Sequence, residues 1–298
     1  MTAIADMGEP AGLMVFRIVC EWLILAALLL VFGLGAFAAT VARTGIEPRA
    51  LPRRFSTAMR LAALAQLVIL PLILIAAVAC MAQVGPSAAI TLIPKVLRET
   101  HFGHIWIASA PLAVLLVLTA WGPSRLKPVR AVGLTLIGAA LLLLWAASGH
   151  AADYSRAAIA VYFIHEAAAG MWLGSLAGLW LVAGLGNQVV ESIAPKTSQV
   201  AGWCVAILIL SGTYAGYDAL GLSLDHLLYS SYGRVLLWKV GFFAVVVAIG
   251  GYNRRRLIPA LSIASGRQAL LRNVALESVL LVAVLGLATL LGNTPPPR

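Results

Sequence analysis

Five histidines, His101, His104, His150, His165 and His226, are the imidazoles of this 298-residue chain, and imidazole is a common ligand for zinc, copper, iron and nickel. His101 and His104 form a His-x-x-His pair. If that turn is helical, both rings share one face, although Gly103 between them weakens the helical reading. His150 stands in Ser148-Gly149-His150-Ala151-Ala152-Asp153, His226 follows Asp225, and His165 is followed at once by Glu166. A thioether beside imidazole suits Cu(I), whereas carboxylate with imidazole suits Cu(II). Met81, Met171, Asp153 and Glu166 therefore join the histidines as secondary ligands or path residues.

The elements that must position these side chains are membrane helices. With 61% hydrophobic and 11% charged residues and a mean hydropathy of +0.96, the chain lies outside the range of soluble domains, which are about one quarter charged. A hydrocarbon core of ~30 Å takes roughly 17–25 helical residues to cross. Apolar stretches of that order lie at 13–42, 60–82, 104–121, 129–147, 157–184, 200–219, 235–252 and 272–291. The runs are continuous rather than alternating, so the fold class is all-α: a polytopic bundle of about eight transmembrane helices, read as one domain over 1–298. The third and fourth spans are short, and Ser211-Gly212-Thr213 interrupts the sixth. The longest connection on the histidine side, about 83–103, reads as a loop.

Basic residues fix the orientation. Arg43, Arg49, Arg53, Arg54, Arg60, Arg125, Lys127, Arg130, Lys196, Arg254, Arg255, Arg256, Arg267 and Arg272 fall in the connections of one side, against Lys95, Arg98, Arg156, Arg234 and Arg298 on the other. The positive-inside rule puts the first group in the cytoplasm and both termini outside, in the periplasm. All five histidines then gather at or near the outer face. The formal charge of +10 is this topogenic signal plus attraction to anionic lipid. Spread over four short connections, it excludes a nucleic-acid surface. Asp6 and Glu9 before the first span, without Lys or Arg, argue against a cleavable signal peptide. Cys20, Cys80 and Cys204 read as small buried hydrophobes rather than a disulfide framework.

The fifth span holds the most unusual pattern. Gly170, Gly174 and Gly178 recur every four residues, which lets another helix approach closely and predicts a central place in the bundle. His165 lies about two turns inside this span, roughly 12 Å down at 1.5 Å per residue, above Ala168, Ala169 and Trp172 on the same side. An ionisable group at such depth is a functional candidate by default. The competing structural reading is a neutral imidazole hydrogen-bonded to a neighbouring helix. Other intramembrane charges read as structural. Arg17 and Glu21 are spaced i, i+4, Lys239 can join them or Glu166, and Glu277 is in reach of Arg272 or Arg254 as an ion pair, with a cation relay as the alternative.

These features resemble the CopD (copper resistance protein D) family of integral membrane proteins. The resemblance rests on Ser-Gly-His-Ala at 148–151, His165 followed by Trp172-Leu173-Gly174, Ser211-Gly212-Thr213-Tyr214, Tyr232-Gly233-Arg234 leading to Lys239, Asn253-Arg254-Arg255, and Glu277 with the closing Pro-Pro segment. It implies an eight-helix, multi-pass protein of the bacterial inner membrane that handles copper, usually moving it from periplasm to cytoplasm beside a periplasmic partner of the CopC type, here a separate chain. It makes His150 and His165 the best-supported copper ligands, with His101 and His104 intermediate and His226 without a counterpart. The reading is therefore a copper ion, Cu(I) or Cu(II), captured at the outer mouth by His101, His104 and His150 and passed to His165, with Glu166 and Met171 as helpers. No nucleotide-binding loop is visible, so passage is passive or driven by the membrane potential. The alternatives are a haem-binding electron-transfer protein with two axial histidines, and a copper sensor or docking protein that does not transport. No nucleophile sits beside a histidine in a recognisable motif, which argues against a hydrolytic enzyme.

Overall fold

The computed structural model describes residues 10–42, 51–122, 127–148 and 156–297. Eight helices in them are long and apolar enough to cross a membrane. They are α1 (Pro10–Ala42), α2 (Arg53–Ala82), α4 (His101–Ala120), α5 (Pro128–Ser148), α6 (Arg156–Val182), α7 (Asn187–Leu220), α9 (Ser231–Tyr252) and α10 (Ala264–Gly292). Two helices are too short to span: α3 (Pro86–Glu99) and α8 (Leu224–Tyr229). Antiparallel threading brings the first and last spans together at one end, where the Arg17 guanidinium donates to Asn293 Oδ1. That end also carries His101, His104 and His226 and is called here the histidine-bearing end. The other is the arginine-rich end.

Three of the eight spans start well before their apolar runs. α2 begins at 53 rather than 60, α7 at 187 rather than 200, and α10 at 264 rather than 272. Arg53, Arg54, Arg60, Lys196, Arg267 and Arg272 therefore ride on helical turns that outrun the hydrocarbon, and not on loops. Several of these side chains also close neighbouring helices. Arg54 donates to the carbonyls of Leu181 and Trp180 while its guanidinium lies 5.7 Å from the Trp180 ring centroid, and Arg60 and Arg130 both donate to the Ala120 carbonyl at the end of α4. Cations at helix C-termini satisfy orphan carbonyls and oppose the negative end of the dipole.

The segment read as a loop at 83–103 is largely helical. Pro86 opens α3 at its first turn, where a missing N–H is harmless. One side of α3, with Ala89, Leu92, Ile93 and Val96, packs against Val78 and Ala79 of α2, and Lys95, Arg98 and Glu99 stay exposed. Such an amphipathic helix suits the membrane surface rather than its core. Gly103 is required where α3 meets α4, since a Cβ there would lie 2.1 Å from the Val96 carbonyl oxygen. The residue that weakened the helical reading of His101–His104 is thus what lets the turn form. Thr100 caps it, its hydroxyl accepting from Gly103 N at 2.9 Å.

α6 sits centrally, packed on α1, α5, α7 and α10. A Cβ on Gly174 would lie 2.1 Å from the Gly33 carbonyl carbon of α1, one on Gly33 would lie 2.0 Å from the Gly170 oxygen, and one on Gly178 would meet the Phe37 ring at 2.5 Å. The first two clashes are backbone on backbone, so no rotamer change relieves them. Gly174→Ala is expected to lower unfolding free energy in detergent by about 1–3 kcal/mol, the usual range for overpacking. Gly241→Ala, where nothing lies within 4 Å, is the control that leaves the thermal melt unchanged. α9 is peripheral: only Tyr232, Gly233 and Val246 are buried along it, and it leans mainly on α10.

Candidate metal centre

His165 enters the bundle nine residues after the start of α6, and the continuous helix α7 places Ser211 at matching depth. Ser211-Gly212-Thr213 does not interrupt that helix. The Ser211 hydroxyl donates to the Ile207 carbonyl at 2.6 Å, one turn back. Its single proton is thereby committed, so the 2.8 Å contact with the imidazole is made by His165 Nδ1–H donating to Ser211 Oγ. This hydrogen bond meets the purely structural expectation for the residue. It also selects the tautomer whose Nε2 carries the lone pair, the outer-shell arrangement by which proteins orient metal-binding histidines. Gly212 leaves space beside the ring: a Cβ there would sit 3.5 Å from His165 Cε1.

Glu166 and Lys239 face the same region. Lys239, on α9, is close enough to act electrostatically on both Glu166 and His165. Glu166 Oε2 is buried without a hydrogen-bond partner among the described residues. Two turns further along α6, on the face of His165, Trp172 is 1% exposed with its indole N–H also unpartnered, and meets Phe243 of α9 edge to face at 5.9 Å. A half-buried seam between α6, α7 and α9 thus carries an imidazole, a carboxylate, an ammonium and an indole.

The other three described histidines are held by backbone carbonyls, which only accept. His101 Nε2–H donates to Ala147 O at 3.3 Å, His104 Nε2–H to Arg98 O at 3.0 Å, and His226 Nδ1–H to Leu220 O at 3.4 Å. Each keeps its other ring nitrogen. His101 and His104 are exposed at the first turn of α4, tied to different neighbours, α5 and α3. His150 and Asp153 lie outside the described residues. Among those described, no three His, Cys, Asp or Glu side chains converge on a common point. The donors therefore form spaced positions and not one closed cage.

Of the other expected positions, some are revised and some are met. Met171 does not accompany His165, because six residues along a helix is a rotation of about 240°. It lines a shallow apolar groove with Phe37, Thr40, Ile193 and Lys196, towards the arginine-rich end. Met81 is 57% exposed at the end of α2. Arg17 Nε lies 3.2 Å from Glu21 Oε1, and Asn293 bridges the pair by donating to Glu21 Oε2 at 2.7 Å. Lys239 lies in the field of Glu166 and not of these, with no ion-pair contact between the two. Glu277 is not ion-paired: no Lys or Arg among the described residues is within contact distance, and the Asn253 amide donates to its Oε1. Cys20, Cys80 and Cys204 are free thiols.

Fold and seam together define a polytopic helical membrane protein with an imidazole hydrogen-bonded inside the bundle. A family profile described as copper resistance protein D matches residues 192–291, and one described as a copper resistance protein D-like N-terminal domain matches residues 12–158. Copper resistance protein D of Pseudomonas syringae pv. tomato is 25% identical over 236 residues, covering 72% of this chain and 76% of that protein. Copper transport protein CutJ of Bacillus subtilis (strain 168) is 28% identical over 219 residues, covering 68% of this chain and 39% of that much longer protein. No solved structure matches significantly. The chain belongs to the copper resistance protein D family and is a multi-pass bacterial membrane protein.

Proposed function

We propose that this copper-handling membrane protein carries copper ions from the periplasmic side of the inner membrane towards the cytoplasm, with His165 as the intramembrane stop. The observation that carries this reading is the commitment of His165 Nδ1 to Ser211, which leaves Nε2 unengaged in the seam beside Glu166. His101, His104 and His150 supply first contact at the histidine-bearing end, and a separate copper-binding protein of the CopC type is the donor that the family suggests. Spaced single-imidazole positions suit passage, since a closed tetrahedral cage releases its ion slowly. No catalysis is invoked. An inside-negative potential is worth roughly 2.3 kcal/mol per charge per 100 mV, enough to drive a cation inward without hydrolysis.

The test is uptake into proteoliposomes. With an imposed inside-negative potential, accumulated copper is expected to rise well beyond one ion per protein and to collapse when the potential is dissipated. Stoichiometric binding without accumulation would replace the carrier with a sensor or docking role.

A further inference from the structure

The arginine-rich end of the seam holds a second polar group that copper chemistry does not require. Glu277 of α10 is 2% exposed. Asn273 Nδ2 donates to Asn253 Oδ1 at 2.8 Å, and Asn253 Nδ2 donates in turn to Glu277 Oε1. The direction of this relay is fixed at its carboxylate end, which must accept from the amide. Asn253 reaches it because the chain after α9 widens into a π turn over Asn253–Leu257, in which Ile258 N bonds Asn253 O at 2.9 Å, five residues back. Such turns recur at functional sites. Opposite Oε2 stands Gly250, where a Cβ would lie 3.1 Å away, and Oε2 itself has no hydrogen-bond partner among the described residues.

Among the described residues, the surroundings provide no counter-charge. From α9 the carboxyl meets Gly250 and Asn253, and from α10 the relay ends at Asn273. Arg254, Arg255, Arg256 and Arg272 are exposed, and Arg254 turns towards Gly202 of α7. The titratable groups of α1 and α6, Arg17, Glu21, His165 and Glu166, belong to the opposite half. A carboxylate taken out of water with one donor and no cation must be neutralised by what it binds. Each polar atom of the Asn253 amide already holds one partner within the relay, so a metal would find few oxygens besides Oε2, too few to replace its water shell. A proton needs only that oxygen.

We propose that Glu277, with Asn253 and Asn273, forms a proton-binding site at the arginine-rich end of the seam. The neighbours Trp172, Phe243 and Gly250 link it to His165: Phe243 touches Trp172, Gly250 lies two turns beyond Phe243 on α9, and Gly250 abuts Glu277. If the copper reading holds, proton occupancy of Glu277 sets the charge that an arriving cation meets.

The experiment uses full-length, copper-free protein in detergent, so its outcome is independent of copper transport. Infrared difference spectra over a pH titration are expected to show, among the carbonyl stretches of protonated carboxylic acids, one band that is absent in Glu277→Gln and retained in Glu166→Gln. Asn253→Ala removes the one donor to Oε1, so the acid form is expected to hold its proton about tenfold more tightly and its stretch to survive to higher pH. A wild type without such a stretch overturns the proposal. So does a set of bands unchanged in Glu277→Gln, or a titration unmoved by both Asn253→Ala and Gly250→Ala.

Discussion

Alanine in place of His165 is expected to strip the purified protein of bound copper. The ring is the described imidazole that lies deep in the bundle, and its free Nε2 is the atom offered to a soft or borderline cation. Ser211→Ala keeps the ligand but releases its orientation and tautomer, and changes of this outer-shell kind weaken metal binding by about 10–100-fold, or roughly 1.4–2.7 kcal/mol. The ordering expected is therefore wild type, then Ser211→Ala, then His165→Ala near background. His226→Ala should match wild type, since its ring hydrogen-bonds the Leu220 carbonyl beside the short helix α8, away from the seam. Metal analysis after size exclusion, on samples loaded with equal copper, reads all four. Full copper content in the His165→Ala protein would remove the intramembrane site, whatever the family name suggests.

The spans were legible in the sequence because a hydrocarbon core demands continuous apolar runs, and hydrophobic length reports that demand directly. Their true ends were not. The first turns of α2, α7 and α10 are built from residues such as Arg53, Glu191 and Arg267 that no lipid-facing criterion selects, and helix formation there needs only good backbone geometry and a few buried contacts, such as Val190, Ile193 and Ala194. α3 escaped for the complementary reason. Fourteen residues with Pro86 and Pro94 look like a connection, and only its one-sided packing on α2 marks it as a surface helix.

The candidate site was legible in part. His165 stood out through depth, and the glycine ladder correctly placed α6 against another helix, which is α1. What sequence distance could not supply was the partner: His165 and Ser211 are 46 residues apart, and the serine read as a break in its helix instead of a hydrogen-bond acceptor. Equal depth below the ends of α6 and α7 is the signal that could have paired them. Met171 misled because its nearness to Trp172 was linear, whereas a helix turns consecutive residues about 100° apart. Glu277 misled because the nearest arginines were counted along the chain, while in space their side chains leave the bundle and the Asn253 amide takes their place.

Removing one member of the Glu166–Lys239 pair is expected to be more harmful than removing both. Taking away one partner of a desolvated charge pair costs about 3–5 kcal/mol, and replacing the pair with apolar or neutral groups is often close to neutral. The two single changes are not equivalent here. Lys239 sits on the peripheral helix α9, and with Glu166→Gln its long side chain can carry the ammonium towards the membrane surface. Glu166 cannot move out in the same way, since its Oε2 is already buried without a hydrogen bond, and it sheds its charge only by taking up a proton. The two groups lie beyond ion-pair contact distance, so Lys239→Met should cost about 2 kcal/mol, below that range, Glu166→Gln should cost less, and the double variant should recover most of the loss. A double-mutant cycle on unfolding free energies in mixed detergent measures this, with a coupling of about 1–3 kcal/mol expected for groups that share one network. Additive single effects would mean that the two side chains do not share a field, and that the seam holds a lone carboxylate and a lone ammonium.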